Sequence, residues 1–182
     1  MMSDFKQYIK RIIVVALIII FCFLIQTAIF SNISLAGVTP NILICAVATF
    51  GFMKGQKKGL IIGFFAGLLL DLISGFYFGF YALVFMYIGY LNGFFKKLFY
   101  GDDLMLPLVL IGSSDLLYGL VSYIALFLLR SKYNFSFYLL NIILPEVVYT
   151  LLTSIFVYYA ILKISNKMDE LDKKGSDKIG TY

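Results

Sequence analysis

The chain contains no histidine and no tryptophan, only 3 prolines and 2 cysteines, and charged residues make up just 14% of its 182 positions. Without His there is no imidazole base, no imidazole proton relay and no His-ligated metal. Without Trp, an aromatic belt at a membrane surface has to be built from Tyr. Cys22 and Cys45 both sit inside apolar runs. They read as small buried hydrophobes rather than a disulfide or a metal pair. There is no Gly-rich phosphate loop followed by Lys, no Ser/His/Asp set and no metal-ligand cluster. Asp102 and Asp103 are adjacent acids in a short loop, and read as solvated charge rather than the metal pair of a lipid phosphotransferase. The expectation is a protein that is not an enzyme and needs no cofactor.

What the chain has in excess is apolar surface: 62% of its residues are hydrophobic and its mean hydropathy is +0.95. A soluble domain carries about 45–50% apolar and about 25% charged residues. Surface-to-volume scaling leaves no way to hide that excess in one water-soluble core of this size. The solvent is therefore lipid, which excludes a soluble enzyme, a nucleic-acid module and a disordered tail. The net charge of +5 and pI of about 9.1 read as Lys and Arg held on a cytoplasmic membrane face.

The first apolar run, Ile12 to Phe30, follows Lys6, Lys10 and Arg11 and has the length of a retained first span. The second, Pro40 to Met53, is short enough to be re-entrant, but Lys54, Lys57 and Lys58 follow it. Dipping residues 40–70 in and out of the bilayer would place three Lys deep in lipid, at about 8–10 kcal/mol in total on the insertion scale. From Gly59 to Phe95 the chain is apolar except for Asp71. As one helix it would be about 55 Å long, so it must fold back, and Asp71, Ser74 and Gly75 supply the turn chemistry.

The reading is an all-α polytopic membrane bundle, residues 1–163, with spans at about 12–30, 40–53, 57–74, 77–95, 104–129 and 137–162. Residues 164–182 read as a short cytoplasmic tail, solvated and frayed. With the N-terminus inside, the inner segments hold Lys6, Lys10, Arg11, Lys54, Lys57, Lys58, Lys96, Lys97, Lys163, Lys167, Lys173, Lys174 and Lys178. The outer loops hold only Arg130 and Lys132. That asymmetry supports six spans with both termini in the cytoplasm.

Gly59, Gly63, Gly67 and Asp71 recur every four residues and form one slowly winding stripe. Small residues let helix backbones approach closely, so the stripe reads as a packing face, within this bundle or against another protein's helix. Gly112, Asp115, Gly119 and Ser122 mark a second small, polar face pointing into the bundle. Pro40 and Pro107 fit first-turn positions of their helices, while Pro145 interrupts the sixth and frees a carbonyl.

Asp71, Asp115 and Glu146 are acids inside the spans, which contain no Lys or Arg to pair with them. Intramembrane carboxylates are costly and are functional candidates by default. Each must be neutral, hydrogen-bonded, facing water or paired with a partner's basic group. Ser113, Ser114, Tyr118 and Tyr149 are the local partners within reach.

Three stretches carry a family resemblance. They are Pro40-Asn41-Ile-Leu-Ile; Gly63-Phe-Phe-Ala-Gly67-Leu-Leu-Leu-Asp71 with Gly75 and Phe78-Gly79-Phe-Tyr-Ala82-Leu; and Leu144-Pro145-Glu146-Val-Val-Tyr149. Their order and spacing resemble MreD, the rod shape-determining membrane proteins of bacteria, over roughly residues 5–163. The resemblance implies a non-catalytic member of the cell-elongation machinery. Its partners would be MreC, RodA, a class B penicillin-binding protein and MreB filaments, acting in lateral peptidoglycan synthesis. It also implies a fold similar to the six-helix substrate-binding subunit of energy-coupling-factor (ECF) vitamin transporters. Thr150 stands where relatives often carry Asn after the Pro-Glu pair. The alternative is such a vitamin-binding subunit itself. Those often carry small residues four apart in the first span for docking, whereas here Ala16 is followed by Ile20.

Overall fold

The structure, a computed structural model, describes residues 2–30, 38–74, 78–98, 104–130 and 135–177. Almost all of these are helical, in six rods. Helix α1 (Met2–Leu24) runs on into a wide π-helical turn, Ile25–Phe30. Helices α2 (Ile42–Lys54) and α3 (Gln56–Ser74) follow, then α4 (Phe80–Asn92), which tightens into a 3-10 segment, Gly93–Leu98. Helix α5 is Met105–Arg130. The last rod joins α6 (Phe135–Tyr138), a π segment (Leu139–Ile143) and α7 (Leu144–Asp177) without a break.

Among the described residues three stretches are long and apolar enough to cross a membrane: Gln7–Ile29, Met105–Ala125 and Phe135–Leu171. Helices α2 and α4 have 13 residues each, about 20 Å at 1.5 Å per residue, against a hydrocarbon core of about 30 Å. For α2 the shortfall has a physical explanation. Every residue from Ile42 to Phe52 is buried, with α1, α3, α4, α5 and α7 all packed against it. A helix that is apolar all round is buried all round; α2 meets protein rather than lipid, so its length need not match the bilayer. Phe50, Phe85 and Ile88 centre the main core around it. The outer faces of the other helices expose large apolar side chains, among them Phe21, Leu72, Met105 and Phe156. Such a surface suits acyl chains and not water.

A single residue, Gly55, separates α2 from α3, with φ +91°, a conformation that L side chains rarely adopt. Its N–H donates to the Gly51 carbonyl, and its own carbonyl accepts from the Gly59 N–H, both at 2.8 Å. Beyond that hinge, α3 meets α4 backbone to backbone. A Cβ at Gly59 would strike the Gly89 carbonyl oxygen, one at Gly63 the Phe85 carbonyl oxygen, and one at Gly67 the Tyr81 oxygen and Ala82. The stripe therefore faces this chain's own α4, and the approach is reciprocal: a Cβ at Gly89 would strike the Gly59 carbonyl oxygen.

Several local expectations change. The Asp71–Ser74 stretch is not a turn, because α3 runs to Ser74; Gly75 lies outside the described residues, as do residues 101–103, Lys132 and Asn134. Pro40 stands before the cap of α2 rather than in its first turn, since Asn41 is the cap residue. Pro145 widens its helix instead of breaking it. Lacking an N–H, it cannot serve the Asn141 carbonyl, and just before it the ladder slips by one residue, so that the Leu144 N–H donates to the Leu139 carbonyl. The segment from 164 does not fray at once: α7 continues to Asp177. It is held by Lys54 Nζ donating to Ser165 Oγ at 3.1 Å and by an Arg11–Asp169 ion pair at 2.8 Å.

Candidate functional site

The buried polar groups gather first at helix N-termini, where backbone N–H groups have no partner within the helix. Helix α4 starts after Gly79, which has no side chain to cap with and lies at φ +98°. Asp71, buried on α3, supplies the missing acceptor. Its Oδ1 accepts from the Tyr81 N–H and its Oδ2 from the Ala82 N–H, both at 3.0 Å. A carboxylate so placed satisfies two orphan donors and faces the positive end of the α4 dipole. Both oxygens of Asp71 are thus engaged within the chain.

The N-terminus of α2 is closed by three elements. Asn41 Oδ1 accepts from the Ile44 N–H at 3.3 Å, and Gln26 Oε1, from the π turn after α1, accepts from the Leu43 N–H at 2.8 Å. Thr150 Oγ1, on α7, accepts from the Asn41 N–H at 3.0 Å. The Pro-Asn and Leu-Pro-Glu stretches, more than 100 residues apart in sequence, therefore meet through Thr150. Sequence reasoning missed Gln26 and gave Thr150 no part. An Asn directly before an apolar run is a cap signal, but which side chains approach from α1 and α7 is a property of the packing.

Asp115 lies beside this junction. It is 1% exposed, on the α5 face where Gly112 and Gly119 admit Leu151 and Ile143. Its carboxylate faces the Thr150 side chain, yet neither oxygen has a hydrogen-bond partner among the described residues. Glu146, half-buried one turn before Thr150, is close enough to feel the Asp115 charge. The expected serine partners turn elsewhere. Ser113 and Ser114 donate to the Leu110 carbonyl, at 3.0 and 2.7 Å, and Ser114 also accepts from Asn92 Nδ2 at 2.7 Å. The Tyr118 ring packs against Tyr81 and Phe85, with centroids 6.1 and 5.8 Å away. The structure thus brings Asp115, Glu146 and Thr150 together and commits Asp71 to the α4 cap.

At the opposite ends of α2 and α7 the polar groups are basic. Arg11 pairs with Asp169, Lys54 reaches Ser165, and Lys96 Nζ donates to the Lys54 carbonyl at 3.4 Å. Burial lowers the pKa of the Lys54 ammonium below its ordinary value; Asp169 opposes that shift, and Arg11, Lys58 and Lys96 add to it. These residues come from the start of α1, both sides of the α2–α3 hinge, the end of α4 and the far part of α7, and they share one end of the bundle.

Comparison with known proteins returns one family, described as rod shape-determining protein MreD, matching residues 6–168. No curated protein and no solved structure matches the chain. The family match reaches into every described helix and leaves out only the first residues of α1 and the last of α7, so the chain belongs to the MreD family of rod shape-determining membrane proteins.

Proposed function

We propose that the chain is a non-catalytic, multi-pass component of the cell-elongation complex in the bacterial cytoplasmic membrane, with both termini in the cytoplasm. In this reading it supports lateral peptidoglycan synthesis through MreC-like, RodA-like and penicillin-binding partners and an MreB-linked assembly. The observation that carries the reading is the family match over residues 6–168. The geometry is consistent with a scaffold. Asp71, Asn41, Gln26 and Thr150 are used on helix ends, and the glycine stripe is used on α3–α4 contact. The gathering of Arg11, Lys54, Lys58 and Lys96 at one end supports the inward orientation of both termini. A six-span arrangement, with a fold similar to the substrate-binding subunit of ECF transporters, is part of the same proposal.

The test is affinity capture from mild detergent, with partners identified by mass, combined with depletion of the protein in cells. Co-purification of MreC-like and RodA-like proteins, with rounding of depleted cells, is the expected result. Capture of a transporter ATPase and its coupling protein, with cell shape unchanged, overturns the reading in favour of a vitamin-binding subunit.

A further inference from the structure

A groove of about 440 Å³ runs between α1, α3 and α7, with Phe50 of α2 in its lining. Its walls are apolar, including Ile18, Ile62, Phe65 and Leu69. It becomes charged at one end only, where Arg11, Lys54, Lys58 and Asp169 line it. Among the described residues Asp169 is the one acid in that rim, and it is engaged by Arg11. Lys54 and Lys58 have no carboxylate partner among the described residues. The rim therefore sets three cations against one carboxylate, next to a slot that excludes water.

Dimensions identify the kind of occupant. From Lys58 to Leu69 along α3 is about 16 Å at 1.5 Å per residue, which is half of a hydrocarbon core of about 30 Å. The groove is one leaflet deep. Apolar walls below a basic rim are the pattern of an acyl chain under a charged headgroup, whereas a membrane-crossing helix runs the full thickness of the core. A second apolar groove, lined by Leu17, Phe21 and Leu24, shares Val14, Ile18 and Ile164 with the first, so two extended chains can lie against α1.

We infer that this groove binds an anionic phospholipid, its phosphate against Lys54 and Lys58 and an acyl chain along α1 and α3. Basic pockets between membrane helices recognise headgroups in this way. Assignment to the cytoplasmic leaflet rests on the proposed topology; the lipid class does not.

The absence of Trp from the chain makes a direct test possible. Phe65, exposed in the groove wall, is replaced by Trp, and the full chain is reconstituted in phosphatidylcholine vesicles. A minor fraction of either phosphatidylglycerol or phosphatidylcholine then carries brominated acyl chains, which quench the indole on contact. Both leaflets contain the probe, so the result is independent of protein orientation and of any role in cell shape. The expected result is a preference of about fivefold or more for phosphatidylglycerol, the value of a single Lys at a membrane surface. Lys58→Gln reduces the preference, and Lys54→Gln with Lys58→Gln removes it, while quenching by brominated phosphatidylcholine persists as evidence that the groove still forms. Lys57→Gln, on an exposed neighbour outside the groove, leaves it unchanged. Equal quenching by the two lipids overturns the inference. So does quenching by neither, which marks a groove filled by protein. An equal loss on Lys57→Gln also overturns it, because the attraction is then diffuse surface charge.

Discussion

Asp71 Oδ2 accepts the Ala82 N–H at 3.0 Å, so the last turn of α3 caps the first turn of α4. This bond and its Tyr81 counterpart replace a cap that Gly79 cannot provide. Asp71→Ala would leave two N–H groups without an acceptor in a buried site, at about 2–4 kcal/mol. Asp71→Asn keeps one carbonyl oxygen and loses about half as much. Thermal unfolding of the purified variants in detergent should rank parent, Asn, Ala in falling order. An Ala variant that unfolds with the parent would show that the cap does not hold the α3–α4 pair.

The glycine stripe separates crowding from backbone conformation. Gly63 has no room for a Cβ against the Phe85 carbonyl, whereas Gly79 has nothing within 4 Å but a φ of +98°. Gly79→Ala should cost about 1–2 kcal/mol through the left-handed backbone alone. Gly63→Ala must move a helix, and Gly67→Leu must do so further, costing upwards of about 2 kcal/mol. The readout is the folded fraction in membranes by size-exclusion profile. A Gly67→Leu variant that accumulates and unfolds like the parent would rule out the stripe as a packing surface.

Thr150 joins α7 to the start of α2 by accepting the Asn41 N–H at 3.0 Å. Thr150→Val keeps the shape and removes the acceptor, orphaning a buried donor at about 1–3 kcal/mol. Thr150→Ser retains the hydroxyl and should stay within about 1 kcal/mol of the parent. Loss of stability in Ser equal to that in Val would assign the effect to the methyl group instead.

Asp115 has neither carboxylate oxygen bonded among the described residues. Asp115→Asn preserves its shape and adds a donor beside the Thr150 side chain. The variant should therefore keep normal membrane levels and support normal rod shape in a strain depending on this protein. Round cells at normal protein level would make Asp115 a functional site rather than a structural one.

Cysteine labelling tests the topology. On a background lacking Cys22 and Cys45, an impermeant reagent applied outside should modify cysteines placed at Ser34 and Asn134 and spare those at Gln56 and Gly101. Outside labelling at Gln56, one residue past the Gly55 hinge, would reverse the orientation of the α2–α3 hairpin.

The sequence by itself determined the solvent, the helical class and the family. Each is written in summed quantities: apolar fraction, run length, and the order of the three quoted stretches. It also marked Gly59, Gly63 and Gly67 as a close-approach face, because a four-residue period on a helix is a local property. Only the tertiary structure decided which surface meets that face and what the intramembrane acids do. Asp71 caps a helix that begins nine residues later, and Thr150 serves a backbone N–H 109 residues away. Ser113 and Ser114 look like partners for Asp115 by adjacency, but their hydroxyls donate back to Leu110. The full burial of the short α2 is likewise a matter of arrangement. A run of apolar residues says that a helix avoids water, and not whether lipid or protein replaces it, because both are equally apolar neighbours.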